Sequence, residues 1–247
     1  MRRVLLALSL TLIALPASAQ IRDQNWTNCT TSNDPDTSIA GCTTLIQSGQ
    51  ETVSADIATT YEDRAIAYGQ KGLWDQAILD LSKVIALQPD NADAYYDRCV
   101  GYGSKELWDR AIADCSQAIA LKPDYVTAYN NRALCYNAKG LYDLAIADEN
   151  HALSLNPRDY VFNVYFNRGN SYAAKGLYDQ AIADYTAAIS LKPDFAVAYA
   201  DRGRVYEAKG LHDQAVADYR ATLKLVSSGS EEAQDAQAGL KRLGAAP

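Results

Sequence analysis

The chain repeats itself at a fixed period, and this limits what it can fold into more than any other feature. Pro89, Pro123, Pro157 and Pro193 are spaced 34, 34 and 36 apart. Arg64, Arg98, Arg132, Arg168 and Arg202 keep the same steps, with a final 34. Asp80, Asp114, Asp148, Asp184 and Asp218 run in parallel, each sixteen residues after its arginine. A period of this length marks a supersecondary unit that cannot bury its apolar face alone and must stack on its neighbours. Five units are expected, at 58–91, 92–125, 126–161, 162–195 and 196–229. The two extra residues fall in PRDYVFNV after Pro157, as a longer turn or an extra piece of first helix.

Each unit reads as two helices. The first begins near AYYDRC, AYNNRA, VYFNRG or AYADRG and ends at a Lys-Gly. Gly72, Gly140, Gly176 and Gly210 can take the positive φ of a tight turn. Glu106 replaces glycine in the second unit, so that turn should be strained or differently built. The second helix begins near WDQAI or YDQAI, its early Asp suiting the positive helix N-terminus. It ends before a proline, which cannot continue a helix. Small residues sit where the two helices must approach: Ala65 and Gly169 on first helices, Ala77, Ala111, Ala145, Ala181 and Ala215 on second helices. Tyr61, Tyr68 and Trp74 fill the flanks.

Taken together, these positions resemble the tetratricopeptide repeat over residues 58–229. They are the aromatic-x-x-Arg-small-x-x-Tyr first helix, the Gly-x-aromatic turn, the inner Ala and the terminal Pro. The resemblance implies an all-α fold, a right-handed superhelical solenoid of antiparallel helix pairs. It also implies a non-catalytic binding role. The family commonly carries Leu where this chain has its five arginines, so these need a local explanation. An unpaired charge on an inward face is costly. A ladder of Arg–Asp pairs makes it tolerable. Partners are expected within a unit, or across units from Asp80 to Arg98 and Asp114 to Arg132.

The ends differ from the repeats. MRRVLLALSLTLIALPASA has two arginines, an apolar run from Val4 to Leu15 and Ala17-Ser18-Ala19, the pattern of a signal peptide over residues 1–19. Export to the periplasm, or secretion, follows. Residues 20–57 are expected to hold a disulfide between Cys29 and Cys42 across the polar loop TTSNDPDTSIAG, worth about 3 kcal/mol. SIAGCTTLIQ (38–47) aligns with the second helix AIADYTAAIS as a degenerate half-repeat. Of Cys99, Cys115 and Cys135, either Cys115 joins one of the others or all three are small buried apolar residues. Residues 230–247 read as a capping helix from Ser230 to Leu243, with a frayed tail from Gly244.

Chemistry is sparse. Losing Arg2 and Arg3 takes the net charge from −7 to −9, which argues against nucleic acid and anionic lipid as partners. The run from Val4 to Leu15 is too short to span a bilayer comfortably, and no other apolar run approaches that length. His212 occupies a turn position where other units have Trp or Tyr and is expected to pack there. His151 should be solvated. No CxxC pair, phosphate loop or GxSxG motif occurs, so no metal, cofactor or catalytic residue is assigned.

The resemblance places a peptide-binding groove on the first helices, in the periplasm or cell envelope. On this sequence it would be lined by Asp63, Tyr96, Asp97, Asn130, Asn131, Asn137, Phe166, Asn167, Asn170, Asp201 and Arg204. Asn offers donor and acceptor together and can grip a peptide backbone without reading its sequence. The alternative is a structural or self-associating solenoid with no dedicated peptide ligand. Glu149 stands where Tyr185 and Tyr219 follow their aspartates. It marks either a loose seam or a place where a partner completes the packing.

Overall fold

The structure, a computed structural model, describes residues 17–49, 54–155 and 160–246. Among these residues there are thirteen α-helices and no strand, an all-α solenoid of helix pairs. The chain divides into two compact units, residues 1–89 and 90–247.

The first unit holds α1 (Ala17–Thr31), α2 (Pro35–Ser48), α3 (Ser54–Gln70) and α4 (Trp74–Leu87), each packed on the next. The segment expected as a polar loop is mostly helical. Only residues 32–34 separate α1 from α2, because Asp34 caps Thr37 N at 2.9 Å and Pro35 takes the first helical position. Cys29–Cys42 therefore ties two helices together rather than closing a loop, with Leu45 and Trp26 around it. A Cβ on Gly41 would lie 2.8 Å from Asn25 O, so glycine lets the two helices touch. The stretch 38–47 is thus the second helix of a full pair rather than a half-repeat. The expected signal segment falls largely outside the described residues, and α1 runs across the expected cleavage position.

The second unit contains four further pairs and a final helix. They are α5 (Ala92–Ser104), α6 (Trp108–Leu121), α7 (Val126–Ala138), α8 (Tyr142–Ser154), α9 (Val161–Ala174), α10 (Tyr178–Leu191), α11 (Ala196–Ala208), α12 (His212–Leu225) and α13 (Glu231–Arg242). Pro157 and part of the two-residue insertion lie outside the described residues. Of the insertion, one residue is visible: α9 has 14 residues where α5, α7 and α11 have 13.

Every repeat arginine clips the two helices of its own pair. Arg64, Arg98, Arg132, Arg168 and Arg202 bind Asp80, Asp114, Asp148, Asp184 and Asp218 through Nε and Nη2, at 2.6–2.9 Å. The pairing lies within a unit throughout, not across units. Both partners are largely buried, and two tyrosines flank each guanidinium, as Tyr165 and Tyr172 do for Arg168 at 5.5 and 5.7 Å. Nη1 is left to reach back to the preceding second helix. Arg64 meets Thr43, Arg132 meets Ser116, Arg168 meets Asn150 and Arg202 meets Thr186, at 2.6–3.0 Å. One side chain thus closes a pair and docks it on its predecessor.

Between helices the core is layered. The residue after each arginine, the residue after each aspartate and the third residue after the next arginine share one register. The layers of the second unit run Cys99–Cys115–Cys135, Ala133–Glu149–Ser171 and Gly169–Tyr185–Val205. In the last layer Tyr219 is held between Gly203 and Gly239, where added Cβ atoms would lie 2.9 and 2.4 Å from its ring. All nine of the residues in these layers that carry side chains are buried.

Glu106 adopts φ 57, the left-handed conformation that glycine supplies in the sister turns. Its hydrogen bonds, Glu106 N to Gly103 O and Leu107 N to Tyr102 O at 2.9 Å, match those of Gly140 and Leu141. The turn is therefore built the same way and carries strain. His212 is exposed, unlike Trp108, Tyr142 and Tyr178, so it does not fill the aromatic position. His151 is exposed but lies against the Tyr129 ring, with centroids 4.5 Å apart. Ser230 caps α13 through Ala233 N at 3.2 Å. The tail is not frayed through Ala246: Ala245 N bonds Leu240 O at 2.9 Å, and Arg220 donates to Ala246 O.

Candidate interaction surface

In the second unit, successive first helices touch one another: α5 meets α7, α7 meets α9, α9 meets α11 and α11 meets α13. The second helices α6, α8, α10 and α12 have no such contacts among themselves. Elements that approach every other neighbour lie on the inside of a bend, so the first helices line the inner face of this unit.

The polar residues of that face are bonded to each other. Asn131 Nδ2 donates to Tyr96 Oη at 2.9 Å, and Tyr96 also stacks on Tyr125 at 4.9 Å. Asn167 Nδ2 donates to Asn130 Oδ1 at 2.9 Å, and Asn130 is buried. Asn137 Nδ2 donates to Ser171 Oγ at 2.8 Å, leaving its buried Oδ1 without a hydrogen-bond partner. Asn170 accepts from Tyr185 Oη at 2.7 Å. Arg204 bridges Asp201 on its own helix and Asp235 of α13. Burial holds the Asp201 carboxyl above the usual range, opposed by the hydrogen bond from Arg204. Phe166 sits edge-on to Phe195 at 4.9 Å, beside Tyr185. Asp97 is half-buried on α5. Asp63 belongs to the first unit, where burial raises its carboxyl and one oxygen has no hydrogen-bond partner.

Two of the clefts on the inner face are bordered by these residues. One of about 330 Å³, mostly apolar, is bordered by Trp108, Asn131, Leu134 and Cys135. The other, about 210 Å³, is bordered by Asn170, Tyr185, Asp201 and Arg204. The row of Asn side chains therefore works first as lateral stitching between neighbouring first helices. What remains open is the apolar floor between them. Among the described residues, no three His, Cys, Asp or Glu side chains converge to hold a metal ion. Sequence reasoning missed Trp108, Leu134 and Val205 as cleft residues. The repeat register could have found Leu134, which stands at the exposed position two after Arg132.

Tetratricopeptide-repeat family models match residues 102–160, 169–210 and 196–225. No curated protein matches. Among solved structures, a crystal structure of MamA is 28% identical, covers 65% of this chain and 93% of that chain, and has a TM-score of 0.59. A second crystal structure of MamA is 25% identical, with coverage of 78% and 98% and a TM-score of 0.61. Residues 41 to the end of MamA from Desulfovibrio magneticus RS-1 share 17% identity, cover 68% and 94%, and reach a TM-score of 0.62, a likeness of fold alone.

Proposed function

We propose that this chain, built of tetratricopeptide repeats, is a non-catalytic scaffold that binds an extended or helical segment of a partner protein along the inner face of its first helices. The observation that carries the reading is the 330 Å³ apolar cleft between α5 and α7, framed by hydrogen-bonding Asn131. Leu134, 41% exposed at its edge, offers an apolar contact. The acidic chain favours a neutral or basic segment with an apolar anchor. We place the scaffold in the periplasm or cell envelope. The two disulfides suit an oxidising compartment. The N-terminal Arg-Arg, apolar run and Ala-Ser-Ala carry the export reading. Among the described residues no helix is long and apolar enough to cross a membrane.

The test is site-specific photo-crosslinking in living cells. A crosslinker at Leu134 is expected to trap a discrete protein, and one at Leu144, equally exposed on a second helix, is not. Equal labelling from both positions would reject the inner-face reading. Amino-terminal mass spectrometry should find the chain starting at Gln20 if it is exported as proposed.

A second reading, self-association, is favoured by one observation. Leu121, Leu191 and Leu225 are exposed at the ends of their second helices in repeat register. Concentration-dependent light scattering that is lost when these three become Glu would support it.

A further inference from the structure

One layer of the core consists of sulfur alone. Cys99 on α5 and Cys115 on α6 are disulfide-bonded, with Cα atoms 5.4 Å apart. Cys135 on α7 is a buried free thiol in the same cluster. The register fixes who touches whom. Cys115 stands one residue after Asp114, and Cys135 three after Arg132. One repeat later the same two positions hold Glu149 and Ser171, whose side chains are hydrogen-bonded at 2.9 and 3.0 Å. Another repeat later they hold Tyr185 and Val205, packed in one cluster. Cys115 therefore sits between its disulfide partner on one side and the Cys135 thiol on the other. That is the order thiol–disulfide exchange needs: attacking sulfur, central sulfur, leaving sulfur.

We propose that Cys99, Cys115 and Cys135 form an exchange site in which the Cys135 thiolate attacks Cys115 and moves its bond from α5 to α7. The Sγ135–Sγ115 bond forms and the Sγ115–Sγ99 bond breaks. Cys99 leaves as a thiolate and takes up the proton that Cys135 released. One disulfide and one thiol stand on each side, so no oxidant or reductant is consumed. The step converts a tie within a helix pair into a tie between successive pairs. It does so at the border of the apolar cleft, which both Cys99 and Cys135 line. Burial pushes the Cys135 thiol up to about 11, so the resting form is protonated at neutral pH and exchange is gated by ionisation.

The experiment follows the free thiol. Purified protein is incubated without oxidant from pH 7 to pH 10 and quenched in acid. It is then unfolded at mildly acidic pH, labelled with N-ethylmaleimide and mapped by mass spectrometry. The label is expected on Cys135 at the start. It should appear on Cys99 at a rate that rises about tenfold per pH unit and does not depend on protein concentration. In Cys135→Ser no label should move. In Cys99→Ser, mild oxidation of the folded protein should yield the Cys115–Cys135 bond. The proposal is overturned if Cys99→Ser does not form that bond. Label on Cys29 or Cys42, or disulfide-linked dimers, overturns it equally.

Discussion

The layers centred on Glu149 and Tyr185 occupy the same register in neighbouring repeats and are filled in opposite ways. Tyr185 fits because Gly169 opposite it has no side chain: a Cβ there would lie 2.8 Å from the ring. Its hydroxyl finds Asn170, so nothing polar is stranded. Glu149 is fully buried and meets Ser171, which also holds Asn137. Burial pushes its carboxyl up to about 8; the hydrogen bond from Ser171 and the charge of Arg168 oppose this, and Asp184 and Asp148 reinforce it. The same backbone slot thus accepts a ring or a carboxyl, depending on the small residue across from it. The Arg–Asp clip is unchanged in both repeats, which suggests that the clip, not the layer residue, sets the helix spacing.

The largest expected effect tests that suggestion. Arg132→Ala leaves Asp148 buried without its partner and should cost about 3–5 kcal/mol in urea unfolding. The double change Arg132→Met, Asp148→Leu should cost clearly less. Equal losses would mean that charge pairing is not what the clip supplies.

The Glu149 layer should make stability depend on pH. The folded carboxyl keeps its proton to about pH 8, whereas the unfolded one loses it near 4.5. Folding takes up a proton between those values. Stability is therefore full below pH 4.5 and falls as pH rises toward 8, by roughly 1 kcal/mol per unit. Glu149→Gln should flatten that slope in thermal melts, while Tyr185→Phe leaves it in place. A slope unchanged by Glu149→Gln would move its origin elsewhere.

The Tyr185 layer should respond to crowding instead. Gly169→Ala is expected to cost about 1–3 kcal/mol by overpacking the ring. Ala133→Gly, opposite Glu149, should cost about 1 kcal/mol as an ordinary helix-interior change. Smallest of all, Glu106→Gly should stabilise by up to about 1 kcal/mol, relieving a left-handed residue at the price of a looser unfolded chain.

Much of this was legible in the sequence because the period aligns equivalent positions. The sixteen-residue offset between each Arg and Asp reads directly as two facing helices, and Glu106 announces its strain by interrupting a column of glycines. What was not legible depends on the third dimension. Whether Arg132 meets Asp148 or Asp114 turns on helix crossing geometry, since both lie at plausible offsets. The tyrosines at three before and four after each arginine read as packing residues, yet they sandwich its guanidinium. Asn131 and Asn167 read as free peptide-gripping groups, because nothing in one helix shows that the next helix supplies their partners. The pair α1–α2 escaped notice because its first helix has no repeat signature: Trp26 and Cys29 stand in a mostly polar run.

Arg220 has a consequence at the end of the array. It stands two residues after Asp218, where earlier second helices present Thr43, Ser116, Asn150 or Thr186 to the next repeat's arginine. A sixth repeat would bring one guanidinium against another at that socket. Arg220 instead binds the chain's own Ala246 carbonyl, and α13 covers the exposed end with Leu240 and Gly239. Growth past α12 would have to displace α13 as well as replace Arg220, so two features close this face of the last pair.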